Sequence, residues 1–131
     1  MQLPTLLSIT PIYIAILGLI FIPITLRAGL YRVKNGISIG TGDNPEMLRR
    51  IRGQGNFIET VPMALFLFVA MELVGAKDAW LHVLCIALIL GRICHYLAIT
   101  ELGPKVLRPI GMSTTMLTIL VGSLWILINA L

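Results

Sequence analysis

The chain has 131 residues, of which 57% are hydrophobic and only 12% are charged. Soluble domains carry about 25% charged residues, so this composition excludes an ordinary water-soluble protein. Ten basic and six acidic residues give a formal net charge of +4. This basic excess is small, and we expect no nucleic-acid partner. We therefore expect a single integral membrane domain.

A helix needs about 20 apolar residues to cross a bilayer, and four segments of the chain approach that length. The first and last segments are uncharged, but the uncharged runs of the middle two are shorter. The second span can therefore cross only if Glu59, Glu72 or both lie at membrane depth. The third span likewise brings Arg92 and His95 into the bilayer or close to it. We predict an all-α four-helix bundle with spans at about 3–26, 53–75, 79–100 and 109–131, and a cytoplasmic connection at about 27–52.

The first connection divides into a loop and the start of the second helix. Residues 35–44 are rich in glycine, which is typical of a loop. Asp43 or Asn44 can cap a helix that has Pro45 in its first turn. The second helix is therefore predicted to run from about Pro45 to Val74, with a bend at Pro62 because proline cannot donate the helical hydrogen bond.

Basic residues predict the orientation in the membrane. They are concentrated in the first connection and recur in the third at Lys105 and Arg108, whereas the second holds only Lys77. The positive-inside rule then makes the first and third connections cytoplasmic and places both termini outside. The uncharged first segment lacks the basic start of a signal peptide, so we expect it to be retained as a span.

A polar stripe lies at the start of the second span. Arg52, Asn56 and Glu59 follow helical spacing and fall on one face of the helix. Ionisable residues inside spans usually mark substrate or ion pathways, which favours a polar pocket; the structural alternative is a set of interhelical hydrogen bonds. The third span ends on the same side and should bring three residues to the same depth: Arg92, His95 and Tyr96.

The other reactive or charged residues have simpler interpretations. Cys85 and Cys94 are nine positions apart on one predicted helix, too far for a disulfide. Arg49 and Arg50 are explained by anionic lipid headgroups. We find no metal-ligand spacing, so no metal site is expected.

Two motifs carry a resemblance to a known family. The block Arg52-x-Gln54-x-Asn56-x-x-Glu59-x-x-Pro62 opens the second span, and Gly91-Arg92-x-x-His95-Tyr96 closes the third. Together they resemble the membrane-associated proteins in eicosanoid and glutathione metabolism (MAPEG), and the chain looks most like the small bacterial members. The resemblance implies a homotrimer in the bacterial inner (plasma) membrane, with glutathione bound between subunits near the cytoplasmic face.

The resemblance, together with the chemistry of the residues, also implies roles. Arg108 resembles the arginine that stabilises the glutathione thiolate and is the expected catalytic residue. Thr60 and Ile99 stand where tyrosines are found in several family members. Glutathione, as co-substrate, is expected to contact Arg52, Gln54, Asn56, Glu59, Arg92, His95, Tyr96 and Arg27, with Arg32 as the alternative to Arg27.

The leading hypothesis is a glutathione-dependent transferase or peroxidase that acts on lipophilic small-molecule electrophiles arriving through the bilayer. An arginine near the sulfur would lower the pKa of the glutathione thiol and so raise the thiolate fraction. One alternative is a small four-helix, proton-coupled multidrug exporter that uses Glu59. Another is a MAPEG-like protein that binds a lipid or thiol without catalysis, which Thr60 and Ile99 keep open.

Overall fold

The computed structural model describes residues 6–131, which form four helices and no strand. Each helix is long and apolar enough to cross a membrane. The all-α, four-helix class predicted from the sequence is therefore confirmed. The helices are α1 (Thr10–Lys34), α2 (Pro45–Val74), α3 (Asp78–Ile99) and α4 (Leu107–Asn129).

Helices α2 and α3 each pack against the other three helices. Helices α3 and α4 pair closely, and α1 packs mainly against α2. Within the described residues the backbones of α1 and α4 do not approach each other closely. Because lipid is as apolar as these side chains, close packing rather than escape from water holds the helices together. The most completely buried apolar residues are Leu17, Met47, Ala64, Phe68, Met71, Leu81, Cys85 and Leu88.

Helix α1 is shifted along the chain from the predicted span 3–26. It begins at Thr10 and continues to Lys34, and positions 3–5 of that span lie outside the described residues. The first N–H groups of a helix have no partner within the helix. Here a carboxylate of another helix supplies the cap, because Glu72 of α2 accepts hydrogen bonds of 2.6–2.8 Å from the backbone N–H groups of Ser8, Ile9 and Thr10.

Helix α2 has the predicted bounds. Asn44 rather than Asp43 is the N-cap, and its Oδ1 accepts the N–H of Met47 at 3.0 Å. Pro62 lies inside the helix, which continues on both sides of it. The helix ends at Gly75, whose φ of 97° is a left-handed conformation that favours glycine. The tight turn that follows reverses the chain into α3.

Helices α3 and α4 approach most closely at two glycines. A Cβ atom on Gly111 would lie 2.6 Å from the backbone nitrogen of His95 and would also overlap the carbonyl of Gly91. Small residues at such crossings let the backbones of membrane helices touch. This contact holds the first turn of α4, which carries Arg108, against the last turns of α3.

Candidate functional site

The two motifs meet at one level of the bundle. Gly53 of α2 lies so close to α3 that a Cβ atom there would be 2.9 Å from the ring of Tyr96. One turn further along α2, Asn56 is hydrogen-bonded to Arg92. The antiparallel pairing of α2 and α3 therefore brings the motifs side by side. Their side chains, however, divide among three places.

Arg52 and Glu59 lie on the outer face of α2. Nη1 of Arg52 is 3.7 Å from Oε1 of Glu59, and the two side chains are 54% and 55% exposed. Met63 and Phe66 continue this face and are also exposed. We call Arg52, Asn56 and Glu59 the polar stripe; its two charged members point away from the centre of the subunit.

Arg92 occupies the junction of α2, α3 and α4 and is only 2% exposed. Its Nη1 donates to Oδ1 of Asn56 and, at 3.0 Å, to Oγ1 of Thr60. Its Nη2 donates to the carbonyl of Gly111 at 3.0 Å. All three acceptors are neutral, and within the described chain Nε has no partner. His95 is buried beside this junction, against the start of α4.

Arg27, Gln54 and Tyr96 lie between α1 and its neighbours. Nη1 of Arg27 donates to the Tyr96 hydroxyl at 3.1 Å, and the guanidinium lies 5.7 Å from the centre of the ring. Nε2 of Gln54 donates to Oγ1 of Thr25 at 3.3 Å. Within one subunit these three predicted glutathione contacts therefore lie where α1 meets α2 and α3, and not on the outer face of α2.

A cleft of about 430 Å³ opens between the start of α2 and the α3–α4 connection. Its volume lies in the range of ligand pockets, about 300–1,000 Å³. One acidic residue lines it, Glu101, whose Oε2 is 3.5 Å from Nη1 of Arg49. An excess of cations in a cleft attracts anionic groups. We call it the cationic cleft, after its four basic residues Arg49, Arg52, Lys105 and Arg108.

Three of the charged residues in the cationic cleft were not among the predicted site residues. Arg49 lies three positions before Arg52 and shares a helix face with it, a signal that was available in the sequence. In the sequence, Lys105 indicated only the orientation of the chain in the membrane. Glu101 reaches the cleft from a left-handed backbone position, φ 57°, just beyond α3, which the residue pattern did not indicate.

Ile99 and Tyr96 lie on different sides of α3. Ile99 lines the cationic cleft, at the position where the resemblance leads one to expect a tyrosine. Tyr96, the nearby phenol, faces Arg27 and α1 instead. Within one subunit no α3 phenol among the described residues therefore lines the cationic cleft.

The sequence as a whole identifies the family. The sequence model of the MAPEG family matches residues 10–128, which include all four helices almost completely and both motifs. The chain belongs to the MAPEG family. Two relatives of this MAPEG protein are each named inner membrane protein YecN, one from Escherichia coli K12 and one from Escherichia coli O6:H1 (strain CFT073). Each is 28% identical over 88 residues, 67% of either chain, and no solved structure gives a significant match.

Within this MAPEG subunit, the predicted single pocket is thus three neighbouring groups. Arg52 and Arg108 share the cationic cleft, with Glu59 next to it on the stripe. Asn56, Arg92 and His95 lie at the junction of α2, α3 and α4. Arg27, Gln54 and Tyr96 lie between α1 and its neighbours. The fold places Arg108, the expected catalytic residue, in the same cleft as Arg52 of the stripe. The roles of all these residues in binding stay predictions.

Proposed function

We propose that the protein is a glutathione-dependent transferase or peroxidase of the inner membrane that acts on lipophilic electrophiles. The observation that carries the proposal is the cationic cleft, in which Arg108 of α4 lies with Arg52 of α2 in a MAPEG chain. A cluster of guanidinium groups suits carboxylates and thiolates, because each group offers several donors and a permanent charge.

The donor and acceptor set fits glutathione, which has two carboxylates, one ammonium group, two peptide bonds and a thiol. Arg49, Arg52 and Lys105 offer cations for the carboxylates. Glu59 is half exposed beside Arg52 and offers an acceptor for the ammonium group. We expect the tripeptide to lie along the stripe and into the cleft, since these groups are continuous on the surface of α2.

Arg108 is the proposed catalytic residue. It is an exposed residue that lines the cleft, and a cation near a thiol stabilises the thiolate that is the reactive nucleophile. Glutathione bound there would supply a sulfur that forms a bond to the electrophilic carbon while the leaving group departs with its electron pair. Ile99 offers no hydroxyl to this reaction, so the charge of Arg108 carries the activation.

An apolar surface leads from the hydrocarbon to the stripe. Met63 and Phe66 are both more than half exposed and continue the stripe along α2. Apolar electrophiles partition into lipid, so they would reach the thiolate along this surface without passing through water. The expected substrates are therefore lipophilic small molecules.

The assembly that we propose is a homotrimer, and the surface of the single subunit supports it. Arg52 and Glu59 are half exposed on a helix long enough to span a membrane, where a charged pair facing lipid would be costly. A neighbouring copy that covers Arg52 and Glu59 would remove the cost and complete the glutathione site. The name of the Escherichia coli relatives supports the inner membrane as its location, and the basic connections support a cytoplasmic site with both termini outside.

The test uses the purified full chain in mild detergent. Glutathione is titrated by calorimetry, and its consumption with 1-chloro-2,4-dinitrobenzene is followed together with thiolate absorbance. Saturable binding with turnover is the expected result. Binding without turnover would favour the non-catalytic MAPEG alternative, and absence of both would overturn the proposal. The exporter alternative gains no specific support, since Glu59 is paired with Arg52 rather than isolated in a span.

A further inference from the structure

The bond between Arg92 and Asn56 fixes the orientation of the Asn56 carboxamide. A guanidinium group has only donors and no acceptor, so the atom of Asn56 that meets Arg92 has to be its oxygen. The assignment of oxygen and nitrogen in an amide usually rests on such neighbours, and here the neighbour leaves one choice. Oδ1 of Asn56 therefore points into the three-helix junction.

Thr60 reinforces this arrangement. Its hydroxyl accepts a hydrogen bond from Nη1 of Arg92 at 3.0 Å and donates one to the backbone carbonyl of Asn56 at 2.8 Å. Nη1 of Arg92 is thus shared between two acceptors one turn apart on α2, and Nη2 is held by Gly111 of α4. The guanidinium is anchored from two helices and cannot turn away from Asn56 without losing buried hydrogen bonds.

The NH₂ group of Asn56 must then lie on the opposite side of the amide from Arg92. Asn56 is partly exposed, and within the described residues its Nδ2 donates to no acceptor of the protein. Along the helix Asn56 falls between Arg52 and Glu59, four and three positions away, so the three residues are surface neighbours. The stripe consequently presents, in order, cationic donors, neutral amide donors and a carboxylate acceptor.

We propose that Arg92 is a positioning residue, which holds the Asn56 carboxamide with its two N–H donors turned towards the ligand and does not itself touch the ligand. The chemistry that this arrangement selects at the middle of the stripe is an acceptor, namely a peptide carbonyl or a carboxylate oxygen. The inference rests on the proposed function, because it takes glutathione as the ligand. It reassigns Arg92 from a direct glutathione contact to a residue that acts through Asn56.

A double-mutant cycle tests whether Arg92 acts through Asn56. Glutathione affinity is measured by calorimetry for the wild type, Asn56→Ala, Arg92→Lys and the double variant. We expect each single change to weaken binding about 10-fold or more, the loss that follows from about 1.4 kcal/mol. The double variant should bind no more weakly than Asn56→Ala, since the group that Arg92 orients is already gone. If the two losses multiply, Arg92 contacts the ligand or acts through the fold, and the proposal is overturned.

A second comparison separates orientation from folding. Asn56→Asp keeps an oxygen towards Arg92 but replaces the outward donors with an acceptor oxygen. We expect its thermal unfolding temperature to equal or exceed that of the wild type, while glutathione affinity falls about 10-fold. The control Asn44→Asp makes the same charge change just before α2 and keeps a good N-cap, so it should leave affinity unchanged. Wild-type affinity in Asn56→Asp would overturn the proposal.

The two proposals fail in different ways. If the wild type itself binds no glutathione, the proposed function fails. The unfolding temperatures then still test whether Arg92 fixes the orientation of the Asn56 carboxamide. In Asn56→Asp, a carboxylate that contacts Arg92 forms an ion pair with it. An unfolding temperature equal to or above that of the wild type therefore supports the fixed orientation. A fall of several degrees would mean an unpaired buried charge and overturn it.

Discussion

Arg52 and Glu59 form an ion pair on the outer face of α2, with Nη1 and Oε1 3.7 Å apart and about half of each side chain exposed. The two residues are about two helical turns apart, and Gly55 between them carries no side chain. Such a pair is unremarkable on a water-soluble protein. On a helix that spans a membrane it marks a face that another subunit should cover.

Glu59→Gln tests that relationship. Loss of the carboxylate leaves Arg52 without its partner, so we expect a weaker oligomer and glutathione affinity reduced about 10-fold, in line with charge-assisted hydrogen bonds of about 1.5–3 kcal/mol. Light scattering after size-exclusion chromatography in mild detergent measures the oligomer. Asp78→Asn is the control, because it removes a carboxylate from the first turn of α3, at the opposite end of the bundle from the cleft. A wild-type chain that is monomeric in mild detergent and in nanodiscs would contradict the covered-face argument.

Arg108→Ala should reduce turnover by about 10²-fold, a typical loss when one group that stabilises a developing anion is removed. Glutathione affinity should change much less, because Arg49, Arg52 and Lys105 remain in the cleft. Initial rates with 1-chloro-2,4-dinitrobenzene measure turnover, and calorimetric titration with glutathione measures affinity. Arg108→Lys should retain part of the rate, and Lys34→Ala, which removes a cation at the end of α1, should retain all of it. Wild-type turnover in Arg108→Ala would remove this residue from the mechanism.

Glu72→Ala should lower the unfolding temperature of the protein. The carboxylate accepts the N–H groups of Ser8, Ile9 and Thr10, and loss of a helix cap costs about 0.5–2 kcal/mol. Glu72→Gln keeps one acceptor oxygen and should fall in between. As a comparison, Glu46→Ala removes only surface ion pairs, which are worth about 0–1 kcal/mol. Equal effects of the two alanine variants on thermal unfolding in detergent would argue against the cap.

Gly111→Ala should destabilise the bundle by about 1–3 kcal/mol or more, because its Cβ would overlap the backbone of α3 and overpacking of this kind forces helices apart. The matched control is Gly18→Ala on α1, where no atom lies within 4 Å of the added Cβ. There the change should be neutral or stabilising by up to about 1 kcal/mol, since alanine favours the helix. Denaturant or thermal unfolding in detergent distinguishes the two, and similar results would contradict the close crossing of α3 and α4.

Much of the architecture follows from local signals that any reader of the sequence can use. Four long apolar segments predict four helices, because a backbone in lipid has to satisfy its own hydrogen bonds. The cap at Asn44 and the left-handed turn at Gly75 act within a few residues. The short turn after α2 then makes α3 antiparallel to it, so Asn56 and Arg92 meet at one level.

Local signals in the sequence do not predict how the site residues divide among three places in the subunit. That division depends on which helices pack around each side chain. Asn56 and Glu59 lie on one stripe by periodicity, but only the presence of Arg92 turns the oxygen of Asn56 inward. The start of α1 is likewise decided at a distance, since Glu72 lies 62 positions beyond Thr10.

By itself, then, the sequence determined the number of helices, the family and the level at which the polar residues gather, since each follows from composition, helical spacing and short motifs. The tertiary structure alone decided which of those residues face outward, which are buried, and that Arg108 shares a cleft with Arg52. The reason is physical: helical spacing is a local property of the chain, whereas the surroundings of a side chain are set by helices that are remote in sequence.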